Sequence, residues 1–345
     1  MKALYVNEPG AEPDLEVRDV PVPGITDNQV LVRVAACGLC NHDVAVMAGL
    51  LHRGVSKDVI LGHEISGFVD RVGASVHAFS EGDRVVATLT AFCGKCDRCL
   101  AGHQYRCREG QGVGHGINGG FAQYVALPET SLVPVPDGLD LVDACVAACP
   151  IGVTIQAISD VARVKPGETV LVVGAGGGLG IHAIQVAAAG GARVIAVTTS
   201  LDKMPAIESL GADVVLSTED LDFSEIVFAL TGDEGVDVIL NTVGSAVLES
   251  CLASLAQFGR MVILGEVEGA KIGFNITDIL FLDATMSGST GASPSHIASA
   301  LDMMSSGKVK PVIHQQLGLA EATEAFQLVR SRGATGRIVL IPPAE

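Results

Sequence analysis

Residues 170–180 read Val170-Leu-Val-Val-Gly174-Ala-Gly176-Gly177-Gly178-Leu179-Gly180 and lie between an apolar run and a helical pattern that extends to about Ala189. Glycine lets the backbone turn sharply and approach a ligand closely, and a helix N-terminus offers free N–H groups and a partial positive charge. The glycines at 174, 177 and 180 follow a G-x-x-G-x-x-G spacing. The segment predicts a loop that cradles dinucleotide phosphates, although a plain strand-to-helix connection has a similar composition.

The segments around this loop predict two kinds of architecture. From Thr169 onward, apolar strands predicted at 169–173, 193–197, 214–216, 236–240 and 261–264 alternate with helical stretches. This alternation indicates a parallel, doubly wound sheet. Two helical segments, near 297–304 and 320–331, and a last strand at 337–341 follow. Before residue 150, short runs such as 30–34, 65–72 and 84–88 indicate a β-rich region. With 345 residues, two domains are expected.

Composition restricts the compartment and the partners. The longest apolar runs fall well short of 18 residues, and Glu8 and Pro9 interrupt the amino-terminal region where a signal peptide needs its apolar run. A reducing, cytoplasmic location is therefore expected, where the nine cysteines serve as metal ligands or buried thiols. The net charge of −17 disfavours nucleic acid and membrane surfaces as partners.

Four cysteines form a C-x2-C-x2-C-x7-C pattern in a polar, glycine-containing loop. Thiolates at this short spacing match a closed, tetrahedral zinc site, which would hold together a loop that has few apolar residues. The alternative is four unliganded thiols crowded in one loop. The predicted ligands of a structural zinc are Cys93, Cys96, Cys99 and Cys107.

A second, dispersed set comprises Cys40, the pair His63-Glu64 and Cys149. Each residue alone is also typical of a buried thiol or a hydrogen-bonded core side chain. Together they suggest three protein ligands with an open fourth position, as a catalytic zinc requires.

The chain resembles the zinc-containing alcohol dehydrogenases of the medium-chain dehydrogenase/reductase superfamily over essentially its full length. The run Gly62-His63-Glu64-Ile-Ser-Gly67, followed by Gly73 and Val76, matches the family's zinc signature, and the four-cysteine lobe follows at the family spacing. The resemblance implies an α/β fold. A GroES-like, β-rich catalytic domain would comprise residues 1–150 and 292–345. A doubly wound, parallel-sheet Rossmann domain of residues 151–291 would bind the cofactor through Gly174, Gly176, Gly177, Gly178, Leu179 and Gly180.

The resemblance also implies a reaction and roles for residues. Zinc would bind the substrate oxygen while hydride passes to or from a nicotinamide ring. The resemblance implies that Cys40, His63 and Cys149 bind the catalytic zinc. Asp43 would brace the histidine, and Glu64 would lie close to the metal. Arg337 would pair with the cofactor pyrophosphate. Relatives usually have Cys-Ala-Gly-Val-Thr at the third ligand, whereas Cys149-Pro-Ile-Gly-Val-Thr154 is one residue longer. Cys145, one helical turn earlier, therefore remains an alternative ligand.

Two further departures concern the cofactor and the proton. NAD-specific relatives bind the ribose through an acidic residue at the end of the second Rossmann strand, whereas here Thr198, Thr199 and Ser200 occupy that place, with Lys203 nearby. These residues favour NADP(H) over NAD(H), unless they only cap the next helix. His42 replaces the family's serine or threonine, and Ala45 replaces its relay histidine. His42 is therefore predicted to handle the proton, with ribose binding, bracing or exposure to solvent as alternatives.

The expected substrate is a small alcohol, aldehyde or ketone, and relatives suggest a homodimer or homotetramer. A reductase of the C=C bond of an α,β-unsaturated carbonyl is the alternative enzyme, because losing a hydroxyl relay affects conjugate reduction less. A non-catalytic binding protein that keeps the fold is the alternative of another class.

Overall fold

The computed structural model describes residues 1–218, 222–266, 269 and 271–344. Its contacts divide the chain into two compact units. The first unit comprises Met1–Gly152, Gly291–Gly307 and Ile313–Glu345, and the second comprises Val153–Thr290 and Lys308–Val312.

The strands of both units are, in chain order, β1 (Lys2–Glu8), β2 (Asp14–Asp19), β3 (Gln29–Leu39), β4 (Glu64–Val72), β5 (Arg84–Ala87), β6 (Thr90–Ala91), β7 (Gln111–Gly112), β8 (Tyr124–Pro128), β9 (Leu132–Pro134), β10 (Thr169–Val173), β11 (Arg193–Thr198), β12 (Val214–Ser217), β13 (Val236–Asn241), β14 (Leu255–Ile263), β15 (Thr285–Gly288), β16 (Ile313–Gly318) and β17 (Arg337–Ile341).

The α-helices are α1 (Asn41–Met47), α2 (Asp97–Leu100), α3 (Leu141–Ala144), α4 (Pro150–Gln156), α5 (Gly178–Ala189), α6 (Met204–Ser209), α7 (Ser224–Leu230), α8 (Leu248–Ala253), α9 (Thr277–Leu280), α10 (Pro294–Ser305) and α11 (Ala322–Arg330).

The first unit is built on a mostly antiparallel sheet with the order β16-β17-β3-β4-β5-β9, to which β8 adds by pairing with β3. Its core contains Ile65, Phe121 and Phe326, each no more than 1% exposed. Burying one such side chain contributes about 1.5–3 kcal/mol. The antiparallel strands β3 and β4 pair through Gly38, near the end of β3, and Glu64, the first residue of β4. This pairing brings the residues after β3 next to those that precede β4.

The second unit contains a six-stranded parallel sheet with the order β12-β11-β10-β13-β14-β15. Numbered within the sheet, this is the 3-2-1-4-5-6 order of dinucleotide-binding folds. The central strand β10 has the continuous apolar run that a strand buried on both faces needs. The predicted doubly wound fold is confirmed.

The structure corrects several predicted limits. Strand β14 begins at Leu255, earlier than the predicted 261–264, and β3 continues to Leu39, beyond the predicted 30–34. Residues Lys308–Val312, predicted in the first domain, group with the second unit. There, Gln185 donates to the Lys310 carbonyl at 2.9 Å and accepts from the Lys310 N–H at 2.7 Å. The ring of His182 accepts from the Val312 N–H at 3.1 Å.

One helical stretch, Leu141–Val161, is long and apolar enough to cross a membrane by length and composition alone. Its apolar window is 89% buried inside the structure, which is also typical of a core helix. Polar residues interrupt the stretch, so a search for uninterrupted apolar runs does not find it.

Candidate active site

Helix α1 begins directly after Cys40, whose extended backbone turns the chain from strand β3 into the helix. The N–H of Cys40 donates to Oδ2 of Asp43 at 3.0 Å, which satisfies a backbone donor at the helix N-terminus. Asp43 is fully buried, and its Oδ1 also accepts from the Gly62 N–H at 3.2 Å. One carboxylate thus ties the start of α1 to the segment before β4.

Asp43 also orients His63. Oδ1 of Asp43 lies 3.3 Å from Nδ1 of His63, so Nδ1 carries the proton and the lone pair of Nε2 is left for another partner. Burial lowers the pKa of His63, but the charge and hydrogen bond of Asp43 outweigh this effect, and the net pKa is raised well above its usual value.

Four buried residues bring metal-ligating atoms together: Cys40, His63, Glu64 and Cys149. These atoms all lie within 4.8 Å of one another. A hydrogen bond from the Cys149 thiol lowers the pKa of Cys40 well below its usual value and raises that of Cys149. Two thiolates and a histidine that gives up its Nε2 proton on binding would be a suitable donor set for a divalent cation.

Cys145 lies outside this cluster of described residues. It is completely buried, and its Sγ donates to the Val142 carbonyl at 3.1 Å. The structure therefore brings Cys149, rather than Cys145, to the other predicted ligands.

Glu64 and Arg337 form an ion pair that sequence analysis does not predict. Arg337 Nη2 lies 3.0 Å from Glu64 Oε1, and Arg337 Nη1 donates to the Leu39 carbonyl at 3.3 Å. Burial raises the pKa of Glu64 to about 7, although the Arg337 charge opposes this shift. Arg337 is only 5% exposed. Its predicted contact with a cofactor pyrophosphate stays a prediction.

His42 follows Cys40 by two residues and is half-buried. Its ring centroid lies 5.4 Å from that of His63 and 4.9 Å from that of His115. The Nδ1 atom of His42 is buried without a hydrogen-bond partner among the described residues. Burial, and then the nearby His63, lower the pKa of His42. Sequence reasoning missed His115, because no motif or spacing connects it with residues 42 and 63.

The four-cysteine loop closes into a compact cluster. The Sγ atoms of Cys93 and Cys107 are 3.5 Å apart, those of Cys96 and Cys99 are 3.5 Å apart, and those of Cys96 and Cys107 are 3.9 Å apart. A tetrahedral zinc with bonds of about 2.3 Å needs sulfurs separated by about 3.8 Å. These sulfur atoms fit that requirement, and Phe92 packs with the cysteines in a small buried cluster.

The glycine-rich loop of the second unit is held against the end of β11. The N–H groups of Gly174 and Ala175 donate to the Val197 carbonyl at 3.1 and 3.0 Å. Any side chain on Gly180 would collide with the Gly174 carbonyl, so this close approach requires glycine. Gly177 precedes α5, and Gly178, Leu179 and Gly180 open it. In such a loop, these N–H groups usually donate hydrogen bonds to a phosphate.

Of the residues that follow β11, Lys203 lies against this loop. A Cβ atom on Gly176 would lie 2.6 Å from Cδ of Lys203, so the lysine stem packs against the loop. Burial lowers the pKa of Lys203. Thr198 is buried, whereas Thr199 is exposed, and the Ser200 N–H donates to Oγ1 of Thr198 at 3.2 Å.

Comparison with known proteins agrees with this architecture. The family described as "Alcohol dehydrogenase GroES-like domain" matches residues 26–137, and the family described as "Zinc-binding dehydrogenase" matches residues 178–306. The acryloyl-coenzyme A reductase of Sulfurisphaera tokodaii is 34% identical over 99% of this chain and 100% of the relative. An NAD-dependent alcohol dehydrogenase of the same organism is 31% identical over 99% of this chain and 100% of the relative.

A crystal structure of an NAD-dependent alcohol dehydrogenase is 35% identical and superposes with a TM-score of 0.94 over 99% of each chain. Fold, metal-binding clusters and relatives together define a zinc-binding, nicotinamide-dependent oxidoreductase. The chain belongs to the zinc-type alcohol dehydrogenase family of the medium-chain dehydrogenase/reductase superfamily.

Proposed function

We propose that this protein transfers hydride between a nicotinamide cofactor and an alcohol, aldehyde or ketone, with a catalytic zinc bound by Cys40, His63 and Cys149. The observation that carries the proposal is the approach of these ligand atoms to within 4.8 Å of one another in a buried site. Two thiolates and one neutral imidazole leave a fourth position open, as catalysis at zinc requires.

When bound, zinc would act as a Lewis acid that polarises a carbonyl group or lowers the pKa of an alcohol. The protein supplies the orientation. Asp43 fixes the His63 ring so that Nε2 is free to bind metal. Glu64 lies 3.9 Å from that Nε2, and its pairing with Arg337 offsets its buried charge. This arrangement suits a residue that lies beside the metal rather than a permanent ligand.

The direct test is a panel of alcohols, aldehydes, ketones and enones assayed with both cofactors by the absorbance of the reduced nicotinamide. Turnover of a carbonyl or alcohol is the expected result. Failure to oxidise or reduce any member of the panel, in a preparation that contains zinc, would favour the non-catalytic alternative.

We also propose that His42 donates or accepts the proton that the reaction at the substrate oxygen requires. His42 is near His63, half-buried, and without a hydrogen-bond partner for Nδ1 among the described residues. An imidazole with an ordinary pKa of about 6.5 can donate or accept a proton near neutral pH. Burial lowers the pKa of His42 below its usual value. The protonated ring, which is the proton donor, is therefore lost as the pH rises through this lowered pKa.

The variant His42→Ala is expected to reduce carbonyl reduction by roughly a hundredfold or more and to flatten its dependence on pH between about pH 5.5 and 8. The measurement is kcat/KM for reduction across this pH range. His115→Ala is the matched control, because it removes the neighbouring imidazole and should keep the inflection. Near-normal turnover of His42→Ala with an unchanged pH profile would make solvent the proton source.

The proposed cofactor is NADP(H) in preference to NAD(H). Thr198, Thr199 and Ser200 stand at the end of β11, where an acidic residue would bind the ribose of NAD, and the Lys203 stem packs against the glycine-rich loop. Hydroxyl groups and an ammonium can donate hydrogen bonds to a ribose 2′-phosphate, which an acidic residue would repel.

The variant Lys203→Ala is expected to lower kcat/KM for NADPH by roughly tenfold and to change that for NADH little, because a charged hydrogen bond to the phosphate is lost. Thr199→Asp is the complementary variant and should shift the preference toward NADH. Steady-state kinetics with each cofactor measure both effects. A wild-type kcat/KM at least tenfold higher with NADH would contradict the assignment.

A second candidate function is reduction of the C=C bond of an α,β-unsaturated carbonyl. Two observations favour it. Acryloyl-coenzyme A reductases of Sulfurisphaera tokodaii and Metallosphaera sedula are 34% and 32% identical to this chain. His42 and Ala45 also replace the hydroxyl and the histidine of the usual relay. Product analysis with an enal separates the two functions, because carbonyl reduction yields an unsaturated alcohol and conjugate reduction a saturated aldehyde.

The remaining parts of the proposal are a structural zinc bound by the four-cysteine lobe, a homodimeric or homotetrameric assembly, and a cytoplasmic location. The sulfur separations of 3.5 to 3.9 Å support the zinc. The two domains proposed from sequence are kept in this proposal, with Ile151, Gly152 and Gly291 moved to the catalytic domain and Lys308–Val312 to the Rossmann domain.

A further inference from the structure

The loop of residues 52–57 carries three exposed basic side chains: His52, Arg53 and Lys57. Residues 44–57 include no aspartate or glutamate, although the whole chain has 39 acidic against 22 basic residues. Within the described residues, neither Arg53 nor Lys57 forms an ion pair with a carboxylate. This loop is therefore a local cationic segment on a strongly anionic protein.

His115 connects the loop with the candidate active site. Its Nε2 donates to the Arg53 carbonyl at 3.0 Å, and its own carbonyl accepts from the Ser56 N–H at 2.8 Å. Gly54, at φ +80°, permits this contact, since a Cβ there would lie 3.0 Å from the same Nε2. The ring of His115 also lies next to that of His42, with centroids 4.9 Å apart, and the ring of His42 lies next to that of His63, with centroids 5.4 Å apart. Two imidazole rings, those of His115 and His42, thus connect the loop with His63, a predicted zinc ligand.

The acidic residue next to the loop in sequence does not cancel its charge by an ion pair. Asp58 follows Lys57 and forms no ion pair with it among the described residues, and the charge of Asp58 also acts on Arg18. The pKa of Arg18 is raised first by the hydrogen bond to Glu16 and, to a smaller extent, by Asp58. No described carboxylate lies within ion-pair distance of Arg53 or Lys57, so both cations are available to a ligand.

We infer that Arg53 and Lys57 bind the negatively charged end of the substrate, which is a carbonyl or enoyl compound with phosphate groups remote from its reacting carbon. Coenzyme A thioesters belong to this chemical class. The inference rests on the proposed function and specifies its substrate. The separation of the loop from His63 by two rings suits an extended molecule, whereas a short alcohol at the zinc would not reach Arg53.

Electrostatics explains why such a substrate needs these residues. A net charge of −17 repels an anion at long range. Screening at physiological salt confines charge interactions to about 8 Å, so cations close to the phosphates decide whether the anion binds. Arginine binds phosphate through two parallel N–H groups, and lysine adds a compact charge.

The test compares binding of butyryl-coenzyme A with that of butyryl-pantetheine, which lacks the phosphates, by calorimetry on the zinc-containing protein. The acyl group blocks the thiol, which would otherwise bind zinc directly. We expect the wild-type protein to bind butyryl-coenzyme A at least about tenfold more tightly, with an advantage that falls as salt rises. The double variant Arg53→Ala/Lys57→Ala should lose this advantage and keep its affinity for butyryl-pantetheine.

Controls separate the possible sources of an effect. The double variant Arg71→Ala/Lys165→Ala removes two exposed charges elsewhere and should keep the advantage. Equal wild-type affinities for the two thioesters would overturn the inference. It would also be overturned if Arg53→Ala/Lys57→Ala weakened only NADPH binding, since the loop would then bind the cofactor phosphate. Turnover of uncharged enals and aldehydes tests the proposed function separately, because those substrates do not involve the loop.

Discussion

Cys149→Ser is expected to reduce turnover by at least about a thousandfold, because losing one thiolate removes a zinc that stabilises the transition state by several kcal/mol. The zinc content should fall from two ions per chain toward one, and circular dichroism should show a retained fold. Cys40→Ser should behave in the same way, since Cys40 and Cys149 share one hydrogen bond in the buried cluster. Elemental analysis and initial rates on the same preparations measure both quantities.

Cys145→Ser is the matched control for this experiment. Cys145 is buried, as Cys149 is, and lies one helical turn away, but its thiol donates to the Val142 carbonyl. A serine hydroxyl can make the same hydrogen bond, so near-normal activity and both zinc ions should remain. The opposite result, an active Cys149→Ser and an inactive Cys145→Ser, would make Cys145 the third ligand.

Cys99→Ser is expected to lower the melting temperature by at least about 5 °C and to remove the second zinc, because zinc binding contributes folding free energy directly. The Cys99 sulfur is buried 3.5 Å from that of Cys96. Without metal the lobe would hold unequal thiols: backbone N–H groups lower the pKa of Cys96 to about 6, whereas burial raises that of Cys99 to about 12. Differential scanning calorimetry and elemental analysis measure the loss.

Lys95→Ala serves as its control, because Lys95 is exposed in the same lobe and is not a predicted ligand. Its melting temperature and zinc content should equal those of the wild type. If Cys99→Ser kept two zinc ions and the wild-type melting temperature, the lobe would not be a structural zinc site.

Local patterns predicted much of the fold. The apolar run 169–173 and the glycine-rich turn after it correspond to β10 and α5, and the last predicted strand, 337–341, corresponds to β17. The predictions failed where an element depends on its neighbour. Strand β14 starts at Leu255 because Val236 on β13 pairs with it, six residues before the apolar run that indicated the strand.

The residues of the candidate site were likewise predicted only where short-range patterns place them. The four-cysteine lobe lies within 15 residues, so its spacing alone places the sulfurs close together. Residues 145 and 149 lie one turn apart on a helical stretch, and their sequence context left the choice between them open. His115 carries no sequence signal at all, because its relation to His42 exists only after the loop of residues 52–57 has packed against it.

By itself, the sequence determined the class of fold, the glycine-rich loop and the four-cysteine lobe, because strand periodicity, turn geometry and short metal-ligand spacings act over a few to about fifteen residues. Only the tertiary structure decided that Cys149 rather than Cys145 joins Cys40 and His63, and that Glu64 pairs with Arg337. These contacts join residues far apart in the chain. The raised pKa of Glu64 likewise follows from burial, which depends on every element packed around the carboxylate.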